Sequence, residues 1–342
     1  MPELAATTDS ATTDSATTDS ALTVTAELDL TPSDTAEVER LARGLSSDSR
    51  YRVDAPEWIA RARDAWDEAP LSLRRAVRRF RRHSGPQGVL VIHGLPVDAA
   101  ALPATPSTSD SVQREPTVAS AVLAVLACGL GDPVAYRAEK SGALVQDVVP
   151  VPGKENFSGN AGSALLTFHN ENAFHPHEPD HVLLLCLRAD HDRVAGLRTA
   201  CLREALPLLP EATRDVLSAP EFILRPPPSF GTDDTARAPQ PVLSGADDDP
   251  DIRIAQIAVT ALTPRAEAAL AELAHAFDTA VRTTRLAPGD MAVVDNRVTV
   301  HGRTPFRPRY DGADRWVQRT FALTDLRRSR DHRPDDGYVL AR

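Results

Sequence analysis

Short apolar runs alternate with turn-forming residues from about Gly142 to Leu323, and this pattern constrains the fold more than any other feature. Runs of this length are typical of buried β-strands. Two helical stretches, at about 202–217 and 263–284, interrupt the series. We therefore predict a mainly β fold with flanking helices, built as a β-sandwich or jelly roll. The predicted strands are 144–151, 164–168, 181–188, 222–224, 252–259, 291–295 and 316–323.

The N-terminal part of the chain has a different pattern. Residues 6–20 repeat the pentapeptide ATTDS three times without a large apolar residue, so they cannot contribute to a core. We predict a disordered tail over residues 1–30. Apolar residues then follow helical spacing at about 32–45, 57–80 and 118–130. The prediction is one domain over 31–342, with a helical part at 31–135 and a jelly-roll core at about 140–325.

Charge and composition exclude several classes of protein. The formal net charge of -10 argues against nucleic acid as a partner, because phosphate binding needs a basic face. No apolar run approaches the roughly 20 residues that cross a bilayer. The cysteines Cys128, Cys186 and Cys201 lack C-x-x-C spacing and are interpreted as reduced thiols. These features predict a soluble cytoplasmic protein.

Two segments carry candidate metal ligands. In the first, His169 and Glu171 are two residues apart, so they project to the same side of a strand. The second, from Met291 to Arg303, places His301 after a strand-like run. Two imidazoles and one carboxylate on one face of a metal leave three positions open, as in non-haem iron oxygenases. A His-x-Glu pair by itself is also compatible with an ordinary strand histidine.

Two arginines follow the second segment. Arg315 and Arg319 are four residues apart and share a face of an extended strand. A guanidinium can pair in bidentate fashion with a dicarboxylate such as 2-oxoglutarate. Burying both arginines without an acidic ligand is unfavourable. The pattern therefore predicts an anionic ligand beside the metal.

Three segments together resemble the clavaminate synthase-like iron(II)- and 2-oxoglutarate-dependent oxygenases. They are LLTFHNENAFHPHEPDHVLLLCLR, APGDMAVVDNRVTVHGRTPF and RYDGADRWVQRTF, and the similarity covers about residues 85–325. The group includes β-hydroxylases of free arginine and asparagine used in peptide-antibiotic pathways. The resemblance implies a double-stranded β-helix core and the use of iron(II), 2-oxoglutarate and dioxygen. It also implies hydroxylation of an unactivated carbon, such as Cβ, of an L-amino acid.

The resemblance assigns a role to each residue of the predicted iron and co-substrate site. Iron is expected on His169, Glu171 and His301. Arg315 matches the arginine that binds the distal carboxylate of 2-oxoglutarate, and Thr199 matches a threonine that assists it.

The same resemblance implies a set of substrate contacts. Arg319 matches the arginine that holds the α-carboxylate of the amino acid. Glu139 falls where the group places a polar contact to the α-amine, and Asn160 falls near a further contact. Glu171 is expected to border the substrate as well as the iron.

The sequence departs from this group at one position. In the arginine and asparagine hydroxylases an aspartate contacts the substrate side chain, and the spacing from His301 places Ala255 there. A guanidino or amide side chain would lose that partner, which argues against arginine and leaves the side chain open. Arg253 either faces an acidic substrate or points to solvent.

Several alternatives remain open. The same ligand set also serves desaturation or ring closure. A jelly-roll metal hydrolase would need an additional general base and has no use for Arg315, and a non-catalytic binding protein is a third class. The substrate is a free amino acid or one tethered to a peptidyl carrier protein.

Overall fold

The chain forms two facing β-sheets with helices packed outside them. The structure is a computed structural model that describes residues 27–48, 50–230 and 238–341. The helices are α1 (Pro32–Ser46), α2 (Pro56–Asp67), α3 (Leu71–Arg82), α4 (Val118–Leu130), α5 (Leu202–Ala205), α6 (Glu211–Leu217) and α7 (Pro264–Ala280). The strands are β1 (Glu27–Asp29), β2 (Val89–His93), β3 (Val112–Gln113), β4 (Asp132–Tyr136), β5 (Val145–Val148), β6 (Leu166–His169), β7 (His181–Arg188), β8 (Leu197–Cys201), β9 (Phe222–Leu224), β10 (Leu243–Ala246), β11 (Asp249–Ile252), β12 (Val259–Ala261), β13 (Arg282–Thr284), β14 (Met291–Asp295), β15 (Thr299–Arg303), β16 (Trp316–Leu323) and β17 (Val339–Leu340).

The larger sheet has the order β1-β2-β14-β7-β16-β4-β17, and β5 pairs with β16 and with β3. The smaller sheet has the order β13-β8-β15-β6 and is antiparallel throughout. The remaining strands of the described residues form two separate two-stranded sheets, β10 with β11 and β12 with β9. The predicted mainly β fold with flanking helices and a double-stranded β-helix core is confirmed.

β7 shows how the larger sheet is buried on both faces. Leu183, Leu185 and Leu187 pack with the N-terminal helices, whereas Val182 and Leu184 pack between the two sheets. Successive residues of a strand face opposite sides, so a continuous apolar run fits a strand that is covered on both faces.

A second core lies outside the smaller sheet and directs the candidate metal ligands inward. Phe168 and Val300 pack there with Leu273 and Phe277 of α7. Each precedes a candidate metal ligand, His169 or His301, by one residue. Because neighbouring strand residues face opposite ways, burying the apolar residue outside turns the histidine towards the larger sheet.

Prolines break two of the predicted helices. The stretch predicted as one helix at 57–80 forms α2 and α3, with Pro70 between them. Proline lacks an N–H and disfavours helical conformation in the residue before it. The stretch at 202–217 is likewise divided into α5, a 3-10 turn and α6, with Pro207 and Pro210 at the breaks.

The predicted strand at 252–259 is wrong. β11 ends at Ile252 and β12 begins at Val259, with a turn between them. Within that turn the backbone N–H groups of Ala258 and Val259 donate to the carbonyl of Ala255. Gln256 bonds to Phe168 through both its backbone and its side chain. The segment therefore lies along β6 and places Ala255 beside the candidate metal ligands.

The predicted tail and domain division also need correction. Residues 1–26 lie outside the described part, but Glu27–Asp29 pairs in parallel with Val91–His93, so residues 27–30 are not tail. The division at about 135–140 does not separate helices from sheet, because β2 and β4 of the N-terminal part join the larger sheet. Among the helices of the described residues, none is long and apolar enough to cross a membrane.

Candidate metal centre and substrate site

The three predicted metal ligands meet between the sheets. His301 of β15 pairs in register with His169 of β6, and Glu171 follows two residues after β6 ends. Nε2 of His301 lies 3.4 Å from Oε1 of Glu171, and Nε2 of His169 lies 4.0 Å from the same oxygen. One ligand atom from each residue falls within 4.8 Å of the other two. Two nitrogens and one oxygen so placed fit an iron(II) ion bound from one side.

The structure holds His169 in the form that a metal needs. Its Nδ1 lies 3.0 Å from the backbone carbonyl of Thr167, so the proton belongs on Nδ1 and Nε2 keeps its lone pair. Burial, together with the charge of His301, lowers the pKa of His169 to about 4. The imidazole is therefore neutral at pH 7, as ligation requires.

Two buried asparagines fix the backbone at Glu171. The side-chain oxygen of Asn296 accepts the N–H of Glu171 at 2.9 Å, and its amide donates to the carbonyl of Glu171 at 3.1 Å. Asn170 donates to the carbonyls of Asn296 and Thr299 and accepts from the N–H of Ile254. These bonds join the two ligand-bearing segments directly, in the orienting role expected for residues beside a metal ligand.

Arg319 connects the candidate metal centre to the candidate substrate site. Its guanidinium donates to Oε1 of Glu171 at 2.5 Å, to Oε1 of Gln146 at 2.5 Å and to Glu139. Burial by itself would raise the pKa of Glu171, but the charge of Arg319 and the two nearby histidines lower it below its ordinary value. Glu171 is thus a carboxylate when a metal arrives.

The two residues predicted to bind the co-substrate are Thr199 and Arg315. Thr199 of β8 pairs with His301 in register and is buried. Arg315, just before β16, lines a small cavity with Cys186, Leu197 and Val317. Burial lowers the pKa of Arg315, and Asp190 acts on it through charge alone. Within the described ranges no hydrogen bond or ion pair engages its guanidinium.

The remaining predicted positions differ in how close they lie to the candidate metal ligands. Ala255 forms a single β-bridge with His169, so its methyl group borders the candidate metal centre. Arg253 is half-buried, and its Nε lies 2.6 Å from Oε1 of buried Glu178. Asn160 is half-buried in the loop between β5 and β6, and the described contacts do not join it to the metal ligands.

Two residues of the site went unpredicted. Gln146 lies beside Arg319 in the β5–β16 register and accepts a hydrogen bond from it. Arg303 is buried, and burial together with the charge of Arg315 lowers its pKa to about 9. Its position two residues after His301, on the same face of the strand, is a signal that the sequence did carry.

Comparison with known proteins identifies the family to which this chain is related. Residues 228–321 match the taurine catabolism dioxygenase TauD, TfdA family. The chain is 59% identical to L-asparagine oxygenase from Streptomyces coelicolor, across 92% of this chain and 94% of that protein. It is 36% identical to clavaminate synthase 2 from Streptomyces clavuligerus, across 80% of this chain and 86% of that protein.

A solved structure shows the same likeness in three dimensions. Asparagine oxygenase in complex with Fe(II), (2S,3S)-3-hydroxyasparagine and succinate superposes with a TM-score of 0.91 at 58% identity, covering 93% of this chain and all of that one. The resemblance predicted from the motifs is confirmed. This chain therefore belongs to the clavaminate synthase-like group of the TauD/TfdA family, the iron(II)- and 2-oxoglutarate-dependent oxygenases of amino acids.

Proposed function

We propose that this enzyme hydroxylates Cβ of free L-asparagine, with His169, Glu171 and His301 holding the iron. The observation that carries the proposal is the buried contact of Arg319 with Glu139 beside the metal ligands. It is supported by the 59% identity to L-asparagine oxygenase. The reaction takes L-asparagine, 2-oxoglutarate and dioxygen to 3-hydroxyasparagine, succinate and carbon dioxide.

An amino-acid zwitterion matches the charges at Arg319 and Glu139. The α-carboxylate pairs with the Arg319 guanidinium, and the α-ammonium group pairs with Glu139. Holding both groups fixes Cα, so Cβ, one bond away, is held at a defined position towards the metal ligands. Gln146 keeps the Arg319 fork in place through its 2.5 Å hydrogen bond.

The co-substrate binds on the opposite side in this proposal. Arg315 pairs with the distal carboxylate of 2-oxoglutarate, and the Thr199 hydroxyl donates to the same group. Bound iron would supply the oxidising chemistry through its open positions. The protein's own residues orient the two ligands and exclude water from the cavity.

Ala255 limits which side chains the site accepts. Its methyl group borders His169 and offers no negative charge, so a lysine or arginine side chain finds no ion-pair partner at this wall. Short polar side chains remain, and asparagine is the one named for the relative at 59% identity. The missing carboxylate also favours a second candidate, L-aspartate, which an acidic wall would repel. Asn160 is the remaining candidate partner for the side chain.

The geometry favours a free amino acid over one tethered to a carrier protein. An aminoacyl thioester has no α-carboxylate, so Arg319 would keep only its internal partners, Glu171, Glu139 and Gln146. A free amino acid brings a carboxylate that can exchange with these internal partners. A cytoplasmic location also remains our proposal, supported by the three buried free cysteines Cys128, Cys186 and Cys201.

The decisive experiment measures succinate formation by the iron-loaded enzyme with 2-oxoglutarate across a panel of free L-amino acids. Mass spectrometry of each mixture then looks for the gain of one oxygen atom or the loss of two hydrogens. We expect turnover with asparagine and a gain of oxygen. Stimulation by aspartate alone selects the second candidate, and loss of two hydrogens identifies a desaturase. Slow succinate release without any amino-acid product would overturn the free substrate and favour a tethered one.

A further inference from the structure

We propose that Arg303 is a second guanidinium for the distal carboxylate of the co-substrate, acting beside Arg315. The inference rests on the proposed function, which places that carboxylate at Arg315. It adds a binding residue that the motifs did not identify.

The fold directs Arg303 towards the co-substrate side. It lies two residues after His301 on β15, so both side chains project to the same face. Its register partner on β8 is Leu197, two residues before Thr199. Leu197 also lines the cavity that contains Arg315. The register thus places Arg303 beside Leu197, at one wall of the cavity that Arg315 lines.

Both guanidinium groups lie near one aromatic ring. Cζ of Arg303 lies 5.2 Å from the centroid of the Phe306 ring, and Cζ of Arg315 lies 5.9 Å from the same centroid. The ring offers both cations a weak electrostatic partner but no hydrogen-bond acceptor. It therefore leaves the hydrogen-bonding capacity of both groups available to a ligand.

Arg303 lacks the partners that a buried arginine normally has. Its side chain is 4% exposed, and Nη2 donates to the carbonyl of Ala164 at 3.0 Å. Nε is buried without a partner, and none of the carboxylates in the described part of the chain forms an ion pair with it. Two buried cations that form no ion pair are unfavourable, even with the charge of Asp190 near Arg315, so the arrangement implies a ligand that supplies a paired negative charge.

A terminal carboxylate satisfies both groups at once. It has two oxygens with about four acceptor positions, and Arg315 can occupy two of them through its fork. The remaining positions can accept from Arg303. A ligand that chelates the metal at one end but lacks a carboxylate at the other would gain nothing from either arginine. Arg303 would therefore contribute to selecting a dicarboxylic 2-oxo acid.

The test compares two ligands on matched variants of the full-length iron(II)-loaded protein under nitrogen. Isothermal titration calorimetry measures the Kd of 2-oxoglutarate and of 2-oxopentanoate, which has the same chain length without the distal carboxylate. We expect Arg303→Met to raise the Kd of 2-oxoglutarate by about 10- to 100-fold, as for loss of a charge-assisted hydrogen bond. The Kd of 2-oxopentanoate should stay within about twofold on the same reasoning. Arg303→Lys, which keeps the charge and loses the fork, should give a smaller increase.

Arg198→Met is the matched control. Arg198 lies on the adjacent strand β8, stacks on Phe168 at 4.4 Å and pairs with Asp278, away from the cavity. It should leave both dissociation constants unchanged. Equal weakening of the two ligands in Arg303→Met would show that Arg303 only supports the strand, and no change in either would exclude contact; both results overturn the proposal. If Arg303→Met does not fold, Arg303→Lys carries the same comparison. Failure of the proposed function is separate: Arg315→Met would then leave 2-oxoglutarate binding intact.

Discussion

The two ends of the site differ in how their buried arginines are neutralised. Arg319 is bonded to two carboxylates and one amide, those of Glu139, Glu171 and Gln146. Arg315, at the other end, has no acidic partner in the described part of the chain, and Arg303 beside it has only a backbone carbonyl. The protein therefore pairs Arg319 internally, whereas the two arginines at the other end form no ion pair in the described part of the chain and have only the charge of Asp190 nearby.

This difference matches the charges of the two ligands. A zwitterionic amino acid brings one positive and one negative group, so it can exchange partners with an internal ion pair without changing the net charge. 2-Oxoglutarate brings only negative charge, so a site whose arginines form no internal ion pair suits it. The comparison teaches that the ligand class of each end can be inferred from the charge balance around its arginine.

Substitution of the arginine at each end should have its most different effects on protein stability. Arg319→Met leaves buried Glu171 and half-buried Glu139 without their cation, so we expect the free energy of unfolding to fall by about 3–5 kcal/mol. Arg315→Met removes a buried cation that forms no ion pair with the described residues, so we expect no loss, or a gain of up to about 2 kcal/mol. Urea unfolding of the metal- and ligand-free proteins measures both, with Arg198→Met as the control. Equal losses in the two variants would contradict the comparison.

Substitutions at the two ends should also raise KM for different ligands. We expect Arg319→Met to raise KM for asparagine by about 100-fold with little change for 2-oxoglutarate, because a bidentate ion pair is lost on one side only. Arg315→Met should do the reverse. Varying each ligand at saturating levels of the other gives both constants. A variant that impairs both ligands equally would show that the two ends are not independent.

Glu139 should control recognition of the α-amine. Glu139→Gln removes the negative charge, so we expect KM for asparagine to rise by about 10-fold while KM for 2-oxoglutarate stays constant. Succinamate, which is asparagine without its amine, provides the complementary probe. The wild-type enzyme should discriminate between asparagine and succinamate more strongly than the variant does. Unchanged discrimination would mean that Glu139 only neutralises Arg319.

The smallest expected effect is the contribution of His181 to the pH dependence of stability. This imidazole belongs to neither end, and its two ring nitrogens are buried without a hydrogen-bond partner among the described residues. Burial lowers its pKa from 6.5 to about 4, so between these values the unfolded chain binds a proton that the folded chain does not. Stability therefore falls as the pH drops from 6.5 towards 4, by about 1 kcal/mol for the first unit. Urea unfolding of metal-free His181→Phe should show a weaker pH dependence than the wild type.

Local patterns in the sequence predicted much of this molecule. Apolar runs predicted β7, β14 and β16, and the spacing of His169 and Glu171 identified a candidate ligand pair. These succeeded because strand alternation and ligand chemistry depend on residues close in sequence. Helix breaks at Pro70 and Pro210 carried a local signal too, since the proline itself marks the interruption.

Contacts set by register could not be predicted in the same way. Gln146 meets Arg319 only because β5 pairs with β16, and Asn296 reaches Glu171 only because β14 and β15 bring their connecting turn to that point. The turn at Ala255 replaces a predicted strand because its backbone bonds go to Ala255 itself and to Phe168 of β6. Such contacts depend on which distant segment supplies the hydrogen-bond acceptor for each N–H, and a single sequence does not specify that acceptor.

The hydrogen bonds of the Asn296 side chain have a consequence for how metal enters the folded chain. They join the Asn296 side chain to the backbone of Glu171, 125 positions away in sequence, so the large loop between the ligands is already closed before any ion arrives. Metal binding then does not have to offset the loop-closure entropy, unlike in small zinc domains that fold only with their ion. Iron should consequently exchange into and out of a folded protein, and a chelator should remove it without unfolding the chain.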